Sequence, residues 1–264
     1  MSSVLVTGAA GGLGSATVAA YLEAGHRVVG LDLAVTPQCA SFTPLVVDLT
    51  DEDAMRDAMR HIGPIQHVVS IAGGALRDEK AEPDIAELPL ELFRASLERN
   101  LVSAFVTIKT AMPNLRAATG DRSISCTTST DALLSYGLPA YAAAKAGIIG
   151  LVNSLTAPLG SEGIRVNAVA PGDIPTARNA SEWAHKPGWY QDLASNNPLS
   201  RLCTPEEIAA TFVALSDRLT GMTGQTVVVD AGLTRAQPGA VSTGLSSTRN
   251  PDLAEADGDA DERR

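Results

Sequence analysis

The run Ser3-Val-Leu-Val-Thr7 passes straight into Gly8-Ala-Ala-Gly-Gly-Leu-Gly14, and no other stretch constrains the fold of this chain as tightly. The first run is apolar and β-branched and reads as a strand. A helical pattern follows over Ala16, Val18, Ala19, Ala20 and Leu22 and stops at Gly25. His26-Arg-Val-Val-Gly-Leu-Asp32 then reads as a second strand. Strand, glycine turn, helix and strand make a βαβ unit, which specifies parallel pairing. The glycines let the turn be tight and let the backbone approach a pyrophosphate that rests on the helix N-terminus. Gly8, Gly11, Gly12, Leu13 and Gly14 are therefore the expected phosphate cradle. Asp32, 18 residues after Gly14 and followed by Leu33, ends the second strand. A carboxylate there accepts both hydroxyls of an adenosine ribose and repels a 2′-phosphate. No Arg or Lys occupies 9–15 or 33–36 to hold such a phosphate, so the expected cofactor is NAD.

The alternation continues along the chain. Residues 45–48 read as a third strand and 51–61 as a helix opened by acids; 67–71 read as a fourth strand, ended by Ala72-Gly73-Gly74. Residues 75–88 are polar and loop-like, and a long helical pattern runs from Leu90 to Met112 with Asn100 inside it. A fifth strand over 122–127, a helix over 140–158, a sixth strand over 164–170 closed by Pro171-Gly172, a helix over 205–215 and a strand over 225–230 complete the series. The expected architecture is α/β: one doubly wound, Rossmann-type domain over residues 1–236 with a parallel sheet of about seven strands. Residues 237–264 lack periodicity and hold six acids against three arginines. Such a tail buries too little to offset its chain entropy and is expected to be disordered.

Composition excludes some functions. A formal charge of −10 opposes nucleic acid or an anionic membrane as the main partner. Cys39, Cys126 and Cys203 are odd in number and widely spaced, which suggests neither a disulfide framework nor a zinc site, so no metal is expected. With no signal peptide before Val4 and no apolar stretch near 18 residues, the expected compartment is the cytoplasm.

The chemistry is concentrated in Tyr141-Ala-Ala-Ala-Lys145. Residues four apart on a helix share one face. A phenol titrates near 10, and an ammonium held close to it favours the phenolate and brings it towards the working range.

Together these pieces resemble the short-chain dehydrogenase/reductase family over about residues 3–233. Thr7-Gly8-Ala-Ala-Gly-Gly12-Leu-Gly14 is similar to the family's T-G-x-x-x-G-x-G, and Tyr141-x-x-x-Lys145 to its catalytic pair. Pro171-Gly172-Asp-Ile-Pro-Thr176 is similar to its P-G-x-x-x-T, and Thr223-Gly224 with Val229-Asp230-Ala-Gly232 to its C-terminal pattern. The resemblance implies Tyr141 as general acid/base, and Lys145 as the group that tunes it and holds the nicotinamide ribose. It also implies Asn100 as the helix-kinking residue of a proton relay. Asp48 and Leu49 are implied at the adenine, Ile174 and Thr176 at the carboxamide, and Ala72, Gly73, Pro171 and Gly172 elsewhere in the cofactor cradle. Two departures stand out. Ser70-Ile71-Ala72-Gly73 replaces Asn-Asn-Ala-Gly, and the serine expected 13 residues before the tyrosine is Thr128, with Ser129 one residue on. Ser129 is the preferred catalytic hydroxyl and Thr128 the alternative; Ser125 and Ser135 are expected to be structural.

The implied activity is NAD-dependent interconversion of a secondary alcohol and a ketone by a homotetramer or homodimer acting on a small molecule. A 3-oxoacyl-thioester reductase and a non-catalytic dinucleotide-binding regulator are the alternatives. Of ten Phe, Trp and Tyr residues, Trp183, Trp189 and Tyr190 fall within 177–199, the segment expected to fold over the substrate, with Lys186-Pro187-Gly188 as its turn.

Overall fold

The computed structural model describes residues 2–34, 37–81, 84–134 and 138–236. Ser135 and the tail 237–264, whose roles were expected from sequence, lie outside them.

Seven strands form one parallel sheet: β1 (Ser3–Thr7), β2 (Arg27–Asp32), β3 (Phe42–Val46), β4 (His67–Ser70), β5 (Arg122–Thr127), β6 (Ile164–Pro171) and β7 (Thr226–Val229). Their order is β3-β2-β1-β4-β5-β6-β7, so the chain leaves β1 to one side and returns to its other side at β4. That reversal opens a crevice at the carboxyl ends of β1 and β4, the place where such sheets bind ligands.

Nine helices of α type are present among the described residues: α1 (Gly12–Glu23), α2 (Glu52–Arg60), α3 (Arg77–Ala81), α4 (Leu90–Leu97), α5 (Ser103–Ala117), α6 (Pro139–Ser161), α7 (Ala177–Trp183), α8 (Trp189–Ser195) and α9 (Pro205–Asp217). Helices cover both faces, which is why β1, β4 and β6 are buried along their whole length. Leu5, Leu31, Val68, Ile124 and Val166 pack against Met55 and Met59 of α2, Leu115 of α5, and Ile148 and Val152 of α6. On the other face Val4, Val6, Val28 and Val69 meet Leu13, Val18 and Tyr21 of α1 and Phe212 of α9. Burying a side chain such as Phe212, which is fully covered, contributes about 2–3 kcal/mol.

Three elements differ from expectation. The stretch from Leu90 onward is not one α-helix: residues Glu98–Val102 between α4 and α5 form a π-turn, in which the Ser103 N–H bonds to the Glu98 carbonyl. The third strand lies earlier, at Phe42–Val46, because its pairing with Val28–Asp32 of β2 sets the register. Residues 75–88 include the short helix α3, whose buried Glu79 carboxylate turns inward onto α6.

Candidate active site

The site begins at the glycine turn. Gly8 adopts φ +68, and a Cβ on Gly14 would lie 1.9 Å from the Gly8 carbonyl oxygen, so α1 can approach β1 only without a side chain there. The N-cap of α1, Gly11, supplies no side-chain hydrogen bond, and the first turn holds no acid. The leading N–H groups of α1 are thus left to an external acceptor, an arrangement that fits a pyrophosphate. Asp32 closes β2 with its carboxylate aimed by backbone donors: Ala10 N–H to Oδ2 at 3.0 Å and Ala34 N–H to Oδ1 at 3.0 Å. Leu33 beside it is exposed. Asp48 is exposed and holds the Thr50 N–H (2.9 Å) and hydroxyl (2.7 Å) on Oδ1, which keeps its pKa below the usual carboxylate value. Leu49 turns its side chain into the core, as does Leu13.

At the switch point the Thr7 hydroxyl accepts the N–H groups of Ile71 (3.0 Å) and Ala72 (3.3 Å). It therefore ties the ends of β1 and β4 together where the resemblance would have placed asparagine amides. Ala72 lies against Gly8: a Cβ on Gly8 would stand 2.9 Å from the Ala72 Cα. Gly73 is wedged between two polar groups, its notional Cβ 2.3 Å from Asn100 Oδ1 and 3.5 Å from Lys145 Nζ. Asn100, fully buried in the π-turn, accepts the Gly74 N–H at 2.8 Å and donates Nδ2–H to Ser96 O (3.0 Å) and Gly74 O (3.3 Å). Its side chain thus clamps the strap after β4.

Beyond β5 the two candidate hydroxyls separate. Thr128 is buried and donates to the Lys145 carbonyl at 2.7 Å, which locks α6 to the strand end. Ser129 donates to Asp131 Oδ2 at 2.9 Å while capping the short 3₁₀ turn Thr130–Ala132, and its hydroxyl favours the ionised form of the Tyr141 phenol. Of the two, Ser129 is the hydroxyl that faces the phenol. Ser125 is buried within β5, its hydroxyl without a protein partner among the described residues.

Tyr141 and Lys145 lie on one face of α6 as their spacing requires, with Nζ 5.6 Å from the ring centroid. The electrostatic balance differs from the simple expectation. Burial pushes the Tyr141 phenol up, Asp131 adds to that, and the Ser129 hydrogen bond and Arg178 work against it. Lys145 directs its ammonium at the Thr127 carbonyl (2.9 Å) rather than at the phenol oxygen, and burial brings its own pKa down to about 8. The desolvation that raises the tyrosine thus lowers the lysine.

The last wall comes from β6. Gly172 N–H bonds Val229 O at 3.1 Å, which sends the chain after Pro171 over the glycine turn. Ile174 O accepts from Thr176 N (2.9 Å) and Asn179 Nδ2 (2.9 Å). Thr176 caps α7 and presses on the cradle, since a Cβ on Gly12 would lie 2.8 Å from the Thr176 Cβ. Arg178, two residues further, donates to Ala75 O at 2.8 Å. In the following segment Gly188, at φ +83, starts α8 after α7, and the Trp183 and Tyr190 rings lie 6.3 Å apart.

Sequence reasoning missed Asp131, Asp173 and Arg178, which act on the Tyr141 phenol, and Glu79, whose Oε1 accepts the Tyr141 N–H at 2.9 Å. Asp131 was legible as a neighbour of Ser129; Glu79 stood in a polar stretch that carries no pattern. A cleft of about 440 Å³ lined by Gln66, His67, Asp121 and Asp217 opens at the opposite end of the sheet and holds none of these groups.

The family profile described as Enoyl-(Acyl carrier protein) reductase matches residues 8–234. An NAD-dependent glycerol dehydrogenase from Listeria innocua is 30% identical over 87% of this chain and 92% of its own. Carbonyl reductase [NADPH] 2 from Sus scrofa is 30% identical over 86% and 94%. Among solved structures, an oxidoreductase of the short-chain dehydrogenase/reductase family from Burkholderia thailandensis is 31% identical, with a TM-score of 0.81 over 89% of this chain and 93% of that one.

Proposed function

The chain belongs to the short-chain dehydrogenase/reductase family of oxidoreductases acting on CH–OH groups, and on that premise we propose that it interconverts a secondary alcohol and a ketone with NAD. The observation that carries this reading is the cluster at the end of β5: the Lys145 ammonium 5.6 Å from the Tyr141 ring centroid and held by Thr127 O, with the Ser129 hydroxyl acting on the phenol. When bound, the nicotinamide accepts or donates the hydride. The Gly8–Gly14 turn and the open N-terminus of α1 hold its pyrophosphate, Asp32 the adenosine ribose, Lys145 the nicotinamide ribose, and Ile174 and Thr176 the carboxamide. Asp48, Leu49, Ala72, Gly73, Pro171 and Gly172 complete the cradle.

The residues of the chain then handle the proton. Ser129 orients the substrate oxygen and Tyr141 Oη takes its proton during oxidation or returns it during reduction. The Lys145 ammonium, held on Thr127 O and 5.6 Å from the ring centroid, favours the phenolate only through space, and Asn100 keeps the strap in register. Positioning and a partly dry site supply the rate, because the protein contributes no covalent step.

The position of Asp32 supports NAD over NADP: no cation at 9–15 stands by it to receive a 2′-phosphate. The second reading is reduction of the ketone of a 3-oxoacyl thioester, whose acyl-carrier chemistry is kin to the description of the matching profile; the Asp32 carboxylate opposes the NADPH that such reductases mostly use. A regulator without turnover has no use for the retained Tyr141 and Lys145. We read the active species as a homodimer or homotetramer in the cytoplasm; the free Cys39, Cys126 and Cys203 support a reducing compartment.

Replacing Tyr141 by Phe tests the assignment. It removes one hydroxyl and should abolish nearly all turnover while NAD binding, followed by tryptophan quenching, stays within about twofold. A Tyr141→Phe enzyme with near-normal rates would refute the role of the phenol.

A further inference from the structure

We propose that Glu79 is a positioning residue for the catalytic helix, gripping the first turn of α6 and with it the backbone of Tyr141. The inference rests on the reading of Tyr141 as acid/base.

α6 starts with little help from its own sequence. Leu138, at the N-cap, offers no side-chain acceptor, and Pro139 in the first position has no N–H. Ala142 N–H bonds the Leu138 carbonyl at 2.8 Å. The Tyr141 N–H instead takes its acceptor from 62 residues away, Glu79 Oε1 at 2.9 Å. A carboxylate suits this end of a helix, where the macrodipole favours negative charge. Solvent would satisfy an exposed N–H at lower cost. Glu79, however, is 1% exposed, and its Oε2 is buried without a hydrogen-bond partner among the described residues. Burying a carboxylate with one oxygen unmet is unfavourable, so the chain tolerates a cost to have this group against this backbone.

The surrounding contacts show what the grip holds. The strap between β4 and α3 passes Gly73 between Asn100 and Lys145, pins Gly74 N–H on Asn100 and receives Arg178 on Ala75 O before Glu79 reaches α6. The strap therefore touches the π-turn, the lysine, the substrate-side helix α7 and the tyrosine in sequence, and Glu79 is its far anchor. Tyr141 Oη works at the end of a long side chain, so a small rotation of the first turn of α6 displaces it from Ser129. A misplacement of about 1 Å can cost up to about a hundredfold in rate. The grip works through the acceptor atom at that distance, so geometry should matter more than charge.

Three variants separate these roles, with steady-state rates expressed per cofactor-binding site so that a misfolded fraction does not count. Glu79→Gln keeps the acceptor and length; Glu79→Asp keeps the charge but falls one methylene short; Glu79→Ala removes both. The expected result is kcat lowered about tenfold or more in Glu79→Asp and Glu79→Ala. The KM for NAD should be unchanged, and Glu79→Gln should stay within about threefold of wild type. Equal losses in Glu79→Gln and Glu79→Asp, or wild-type kcat per site in Glu79→Asp, would overturn the proposal. If Glu79→Ala does not fold, the Gln and Asp pair still decides it. Tyr141→Phe, run alongside, separates the two failures: an active Tyr141→Phe enzyme sinks the catalytic reading, whereas an inactive one beside a normal Glu79→Asp sinks only the grip.

Discussion

Lowering the pH from 7.5 to 4.5 should strip about 2.5 kcal/mol of stability from this protein through one imidazole, that of His67. The ring opens β4, 3% exposed, with Nδ1 2.9 Å from the Ser123 hydroxyl and the His26 ring edge-on at 6.3 Å. Burial brings its pKa down from 6.5 to about 4; Asp121 and Asp217 pull the other way and lose, and His26 and Arg165 reinforce burial. Between those two pH values the unfolded chain binds a proton at this position and the native protein does not. Stability therefore falls as pH falls from about 6.5, and the loss is complete below about 4. At about 1.4 kcal/mol per tenfold change in proton affinity, the whole interval is worth about 3 kcal/mol, of which about 2.5 is spent by pH 4.5. His67→Asn retains a donor for Ser123 and loses the titrating ring. It should cost about 1–3 kcal/mol at pH 7.5 through the space it leaves. The assay is urea unfolding followed by far-UV circular dichroism at fixed protein concentration, for both proteins at both pH values. Carboxylate contributions common to the two cancel in the difference, so the gap between wild type and variant should shrink by about 2.5 kcal/mol on acidification. A gap that stays constant would mean that the native ring takes up its proton as readily as the unfolded one, and the burial argument would fail.

Asp32→Ser should admit NADP by removing a like charge from the 2′-phosphate, raising its kcat/KM relative to NAD by about tenfold or more; a wild-type enzyme that already prefers NADP would overturn the assignment. Trp189, with Lys186 Nζ 4.5 Å from its ring centroid, lies in the α7–α8 segment. If that segment closes over substrate, Trp189→Ala should lower kcat/KM about tenfold with NAD affinity unchanged, and normal kinetics would assign the ring to packing. Light scattering should return two or four times the 27.3 kDa chain mass, and a monomer mass would remove the oligomer from the reading.

The parts of the site that were legible are those with a local period or a steric necessity. Gly14 could be read because helix and strand can meet only over a missing side chain, and Tyr141 and Lys145 because a four-residue spacing places them on one helical face. Thr128 and Ser129 could not be told apart from spacing: a difference of one residue is absorbed by the turn, and only the Thr128 bond to Lys145 O separates them. Asn100 was visible, but the π-turn around it was not, since its residues are ordinary helix formers. Glu79 was invisible for a different reason. Its partner is 62 residues away, and a polar segment with no periodicity reads as solvent-facing until the fold turns one acid inward.

The π-turn at Glu98–Val102 has a consequence for how this chain tolerates length changes. A π-turn is an α-helix carrying one residue more than its hydrogen bonds need, and so equals a single-residue insertion that was kept. Deleting one residue there, Leu101 for instance, would let α4 and α5 fuse into a regular and more stable helix. The wide turn takes up that extra residue, so the repair would leave α4 and α5 in nearly the same phase and remove only the bulge. What would go with it is the local backbone that aims Asn100 at the Gly74 N–H and carbonyl. The surplus residue is a deliberate slack in one turn, and the strap after β4 depends on its not being taken up.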